Sequence, residues 1–442
     1  MKRKRIIDIA LGGLSLLMTL TAATAAEPRE FHVTPGQGCE VCGMYIEEFR
    51  KTAVEIVFSD GRREDFCGVA CALRRINEYL GMPQVKSAYA SDWNTQAAIP
   101  LEQAVLVVDS DQTPDMIPNF IAFASKAEAD AFRKDHGGQI IALERALATI
   151  SYQGMTMPFR ITTAATPPAR VFSVGASVGG MVKDHLMEGG HDVSSQDALK
   201  TRTMVPKKMV STMTAVNAGY AFTDDIYSDI ALPYCWKQMT SIKKTGEQTT
   251  FKEDGPGDVQ WSGRWRFYHD ELYDQHFALV LRAGLPTGEF TQENRARPGM
   301  QIGTGAFSGG GGLLFSQHLG LFWLHGSAEY RYNFENTRDY KFGDIMQVGT
   351  ALHFTPSTKT MLGLEFDASK AQKNEDNGSR VANTGCEGVY GSLVCQQRLA
   401  TFWGGNFDLR AMIGIPLYEY VEDVQLGETF HYTAGVQWKR RF

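Results

Sequence analysis

Cys39 and Cys42 form a C-x2-C pair that runs directly into Gly43 and Met44, and Cys67 and Cys71 follow as a C-x3-C pair inside FCGVACAL. Thiolates and a thioether are the donors that a soft monovalent ion such as copper(I) prefers, whereas hard ions prefer oxygen. The same spacing admits other chemistry. Four thiolates can enclose zinc, and an exported chain can close such pairs as disulfides. A C-x-x-C can also exchange disulfides where a helix N-terminus favours its thiolate.

The remaining reactive residues are more dispersed. Met181, His185, Met187, His191, Met204, Met209 and Met213 read either as soft ligands in an outward loop or as methionines on lipid-facing strand positions beside solvated histidines. Cys386 and Cys395 flank a Gly/Ser-containing stretch and are expected to form a disulfide, with Cys235 left as an isolated strand residue. His136-Gly137-Gly138 reads as a helix C-terminus, with the imidazole favoured by the helix dipole. Gly309 to Gly312 lacks the Lys and Ser/Thr of a phosphate-binding loop. No paired carboxylates and no nucleophile–His pair are identifiable, so the sequence points to a binding protein and not to an enzyme.

These residues need a frame. The N-terminus has the form of a signal peptide over residues 1–26, with Lys2-Arg3-Lys4-Arg5, an apolar core from Ile9 to Leu20, and Ala23-Thr24-Ala25 before the cut. Residues 27–160 read as a compact α+β domain. It has strands near 52–58 and 104–108, a helix over 68–80 carrying Cys71, and a helix begun by the capping box Ser125…Glu128. The Thr/Ala/Pro stretch 161–169, with Pro167-Pro168, is expected to be a linker.

From residue 170 to 442 the texture becomes period two. Phe322, Leu324, Ala328, Tyr330 and Tyr332 alternate with His325, Ser327, Glu329 and Arg331, and Tyr432, Ala434, Val436 and Trp438 alternate with Thr433, Gln437 and Lys439. Segments of 9–11 residues with aromatic ends suit tilted membrane-spanning strands, and the chain finishes on Phe442 at the end of its last strand. The expected architecture is a small periplasmic α+β domain followed by an antiparallel transmembrane β-barrel of about 12 strands in the bacterial outer membrane. A net charge of −6 carries no nucleic-acid footprint.

Gly38-Cys39-Glu40-Val41-Cys42-Gly43-Met44, with Asp60-Gly61-Arg62, Phe66-Cys67, Thr113-Pro114-Asp115-Met116, Phe123-Ala124-Ser125 and His136-Gly137-Gly138, resembles the NosL family of copper accessory proteins associated with nitrous oxide reductase. The likeness runs over about residues 36–148. It implies copper(I) as the bound ion, held by Cys42 or Cys39 with thioether help from Met44 or Met116, with Cys67 and Cys71 as further candidates. It also implies a metallochaperone role towards a periplasmic cuproprotein. The chain departs from the family in lacking a lipidation cysteine and in continuing past Ile150, so a barrel in outer-membrane lipid would serve as the anchor. The C-terminal part, through GLPTGEF, GPGDVQW and its aromatic end, resembles outer-membrane barrels of the MetA-pathway of phenol degradation type, which implies a channel.

Overall fold

The structure is a computed structural model describing residues 29–31, 33–78, 84–116, 118–150, 157–270 and 274–442. The expected signal peptide lies outside these residues.

The N-terminal part contains two antiparallel sheets. In the first, the strands are ordered Arg29–Glu30, Ala97–Pro100, Val85–Ser91, Val54–Phe58, Arg63–Phe66. The central strand forms because Val54, Ile56 and Phe58 alternate along one face and are almost fully buried. The second sheet is ordered Phe120–Phe123, Val105–Ser110, Gly137–Ile141. Three helices cover the sheets: α1 (Val69–Glu78), α2 (Lys126–His136) and α3 (Leu143–Thr149). The Asn77 amide of α1 donates to the carbonyls of Leu147 and Ile150 at 2.9 and 3.0 Å, locking α1 to α3. Ser125 caps α2 by accepting from the Glu128 N–H, and Gly137 and Gly138 leave it with φ of 69° and 87°.

The rest is a closed antiparallel barrel. Its ring consists of Val171–Gly189, Met204–Ala221, Ile226–Lys243, Val259–Asp270, Gln275–Leu285, Ser308–Leu319, Phe322–Asn333, Ile345–Ser357, Thr360–Ala371, Cys386–Phe402 and Gly405–Arg441. The last span folds back at Glu422-Asp423, where Asp423 has a φ of 61°. Its first arm pairs with Cys386–Phe402 and its second with Val171–Gly189, which closes the ring. Eleven spans, with the last counted as two arms, make twelve strands. At one end the strands are joined by turns as short as Gly320-Leu321, and at the other by connections as long as 286–307.

Alternation sets the two walls. Leu281, Leu313 and Leu393 are each 60% exposed on the outside, while His276, His325, His353, Glu365 and Asp408 are 0% exposed inside. An apolar outer wall around a polar interior is the reverse of a soluble sandwich and fits a lipid surround. Among the described residues no helix is long and apolar enough to cross a membrane.

Residues 157–169 lie inside this barrel. Phe159 and Arg160 donate their backbone N–H groups to Glu365, and the Arg160 guanidinium binds Asp367 with two hydrogen bonds of 2.9 and 2.8 Å. Thr162 donates to Glu329, the Ala164 N–H donates to Ser316, and Arg264 donates to the Thr163 carbonyl. Ile161 occupies space left by Gly349, where a Cβ would overlap it. Ala164 packs on Ala278, Val280 and Leu314. Thr166 returns to Asp224 in a short turn, so the segment dips into the lumen from the short-turn end and comes back.

Candidate metal centre

The cysteine site is assembled from one loop and one strand-to-helix junction. Residues 38–45 close on themselves: the Cys39 N–H donates to the Met44 carbonyl at 2.8 Å, and the Gly43 N–H donates to the Cys39 carbonyl at 2.9 Å. Gly43 makes this possible with a φ of 75°. The loop is tied down from outside by Arg75, which donates to the Glu40 carbonyl at 2.7 Å, and by Gln37, which donates to Asp65 at 3.0 Å. Cys67 follows the strand Arg63–Phe66 and Cys71 lies in the first turn of α1, so a four-residue spacing puts both thiols on one side of the helix start. The Thr52 hydroxyl donates to the Cys67 carbonyl at 2.8 Å and fixes that junction.

The four Sγ atoms all lie within 4.8 Å of one another. Cys42 and Cys67 are 3.4 Å apart, Cys67 and Cys71 3.7 Å, and all four are free thiols. A tetrahedral ion with metal–sulfur bonds of about 2.3 Å has sulfurs roughly 3.8 Å apart, so the donor set fits a metal ion with little movement. Cys39, Cys67 and Cys71 are buried and Cys42 is half-buried, which makes Cys42 the most accessible of the four thiols. Met44 and Met116 pack against the same apolar cluster that contains the cysteines.

The thiols share charge unevenly. Hydrogen bonds from Cys67 and then Cys71 hold Cys39 far below the usual thiol range. In donating to that thiolate, Cys67 and Cys71 are themselves held as thiols well above it. Asp115, one residue before Met116, is pushed up to about 7 by burial, against an opposing pull from the backbone N–H groups of Met116 and of its own residue. No side chain donates to its carboxylate among the described residues. It occupies the space beside Gly68, where a methyl group would overlap it.

The other sequence candidates separate from this site. His136 ends α2 with its Nδ1 2.9 Å from Asp111, away from the cysteines. Met181, His185 and Met187 lie within the strand Val171–Gly189, and Met204, Met209 and Met213 within Met204–Ala221, so the methionines are strand residues, while His191 lies in the connection between the two strands and pairs back on Glu188. The expected Cys386–Cys395 disulfide does not form. Both residues are free and sit on the single strand Cys386–Phe402. Nine residues of strand at about 3.3 Å each put them roughly 30 Å apart, whereas a disulfide needs Cα atoms within about 7 Å. Cys235 is likewise a free strand residue.

One constellation was not singled out from the sequence. His269, Asp274 and His276 offer ligand atoms within 4.8 Å of one another at the short-turn end of the barrel. The available signal was H-x4-D-x-H spanning a turn between two alternating strands.

Residues 30–147 match the NosL family, which covers the cysteine loop, the helix α1 and Met116. No curated protein sequence matches the chain. Among solved structures, an outer membrane channel from Pseudomonas putida is similar over 64% of this chain and 100% of its own, with 13% identity and a TM-score of 0.49. The copper chaperone NosL from Shewanella denitrificans is similar over 27% of this chain and 95% of its own, with 25% identity and a TM-score of 0.24. A FadL homologue from Pseudomonas aeruginosa is similar over 62% of this chain and 90% of its own, with 7% identity and a TM-score of 0.30. The chain thus joins a segment that matches the NosL family and carries a cysteine cluster to a closed twelve-stranded antiparallel barrel with an apolar outer wall.

Proposed function

We propose that the chain captures copper(I) on the periplasmic side of the outer membrane and holds it for a periplasmic cuproprotein, with the barrel as its membrane anchor. The observation that carries this reading is the gathering of four free thiols within 4.8 Å in a largely buried pocket. Cys39, Cys42, Cys67 and Cys71 supply a four-sulfur shell, in which a thioether from Met44 or Met116, both packed against the same cluster, can take the place of one thiol. Thioethers discriminate towards copper(I), because zinc takes thiolate, imidazole and carboxylate. Half-exposed Cys42 is where an acceptor's own thiol or thioether would first compete for the ion.

Orientation follows from the loops. Outer-membrane barrels carry short turns on the periplasmic side and long loops outside, so the short-turn end faces the periplasm. The copper domain is on that side: the Gln84 amide donates to the Gly404 carbonyl, in the turn after Phe402, at 3.2 Å. The luminal segment 157–169 favours a closed barrel at rest over an open pore, since its backbone and side chains bind Glu329, Glu365 and Asp367 within the lumen.

Copper K-edge absorption on the reduced, copper(I)-loaded full-length protein in detergent tests the assignment. The expected result is a shell of sulfur alone at about 2.3 Å. A nitrogen- or oxygen-dominated shell, or failure to retain copper(I), overturns it.

A further inference from the structure

The run Gly309 to Gly312 takes its role from the strand register. Gly310 lies opposite Arg282 on one neighbouring strand and opposite Arg331 on the other, while Gly312 lies opposite Glu329. These positions face the lumen, because Arg282 and Glu329 both bind Thr162 of the luminal segment. One rung nearer the long connections, Gly284 lies between Gln260 and Ser308. Two bare inward positions on adjacent rungs leave a notch in a wall that otherwise carries side chains. Neighbouring strands are about 4.8 Å apart, so the backbones of Arg282 and Arg331 stand roughly 10 Å apart across Gly310. A methyl group at Gly310 would overlap the Tyr330 carbonyl oxygen. Arg331, Gln260 and Ser308 line a cavity of about 330 Å³, closed on its outer side by Pro298, Gly299 and Thr304 of the connection 286–307.

The charges around this notch are not balanced. Arg282 is neutralised by Glu329, to which it donates at 2.5 and 3.3 Å. Asp258 is the one carboxylate on the cavity wall, and its oxygens are already taken. It accepts from the Gly288 N–H at 2.9 Å and from the Thr304 N–H and hydroxyl at 2.8 and 2.6 Å. Arg331 is half-buried and has no hydrogen-bond or ion-pair partner among the described residues. A guanidinium does not give up its proton in a protein, so this charge is met by an anion from solution.

We propose that the notch binds a small monocarboxylate arriving from outside the cell, with Arg331 as its anchor. The planar guanidinium fork matches a carboxylate through two parallel N–H···O bonds. The Ser308 hydroxyl, on the same cavity wall, is a further donor for the carboxylate, and Phe342 and Ile345 offer apolar surface to the body of the ligand. One unpaired guanidinium balances one negative charge, whereas a phosphate dianion would leave a charge unmatched near Glu329. The bound carboxylate would lie one rung from the Arg282–Glu329–Thr162 contacts, on the outer side of the luminal segment. Its outward position rests on the barrel orientation given above. Its binding chemistry rests neither on that orientation nor on copper.

Full-length protein in non-ionic detergent and low-chloride buffer is titrated with butyrate and followed by saturation-transfer-difference NMR, with inorganic phosphate as competitor. The expected result is saturable butyrate binding that phosphate displaces only weakly. Affinity should fall at least tenfold in Arg331→Gln, fall less in Arg331→Lys, which keeps the charge and loses the fork, and be unchanged in Arg338→Gln, an exposed loop arginine. Arg331→Gln breaks no ion pair, so the barrel stays folded, which resistance to unfolding in cold SDS checks. Absence of saturable butyrate binding, tighter binding of phosphate, or affinity unmoved in a folded Arg331→Gln overturns the proposal.

Discussion

Arg160→Ala should unseat the luminal segment. Its guanidinium makes two hydrogen bonds to Asp367, whose side chain is 1% exposed, and lies over Tyr390 at 5.1 Å. Removing one partner of a buried ion pair costs about 3–5 kcal/mol. The lower end applies, because the Arg160 side chain is 28% exposed and Gln347 remains 3.3 Å from Asp367 as a donor. At 1.4 kcal/mol per decade, about 3 kcal/mol moves the ratio of unseated to seated segment roughly a hundredfold. Single-channel recording in planar bilayers reads this ratio as the fraction of time spent conducting. Wild type should be closed almost throughout, and Arg160→Ala should open about a hundredfold more often. Glu365→Gln, which weakens the acceptor for the Phe159 and Arg160 N–H groups, should act in the same direction. Combining the two should give less than the product of their effects, since both hold one segment. A wild type that conducts continuously, or a folded Arg160→Ala with unchanged open time, refutes the reasoning.

Three further outcomes follow from the same geometry. The Asp115 carboxyl, raised from 3.8 to about 7, binds its proton more tightly folded than unfolded, so its effect is a loss of stability as pH rises between about 4 and 7. The loss amounts to up to about 4 kcal/mol above that window, and Asp115→Asn should remove this slope from denaturant melts of the metal-free protein. Gly68→Ala should displace Asp115 and with it Met116, weakening copper(I) retention in chelator competition while leaving the barrel's melting unchanged; unchanged retention would contradict the placement of that loop. Leu281→Arg puts a charge on the outer wall at a position 60% exposed to the surround. It should destabilise the barrel in lipid vesicles by about 2–4 kcal/mol, and a neutral effect would place that face in water.

Much of this architecture was legible because periodicity survives in sequence. His325, Ser327, Glu329 and Arg331 alternate with Ala328, Tyr330 and Tyr332, and the structure sets the first group inside and the second outside. The cysteine cluster was legible through residue type and spacing, whereas its geometry depends on the Gly43 turn and the Thr52 and Arg75 anchors, which leave no pattern along the chain. Residues 161–169 read as a linker because Thr, Ala and Pro are what linkers use. The same small side chains fit beside Arg264 and Ser316 in a crowded lumen, and composition does not separate the two situations. A Gly/Ser-containing stretch between Cys386 and Cys395 suggests a loop, but the strand continues through Gly388 and Gly391 and holds the two thiols apart. The contact of His318 with the Asp274 carboxylate, forty-four positions earlier, is a proximity created only by strand order.

Copper(I) titration of the reduced full-length protein against a competing chelator, with Cys42→Ser and Met116→Leu alongside and zinc as competitor, addresses the copper assignment most directly. Tight binding of one copper(I), weakened at least tenfold by each substitution and not displaced by zinc, is the predicted result. Preference for zinc, with Met116→Leu indifferent, would contradict it and leave a tetrathiolate zinc site on a membrane anchor.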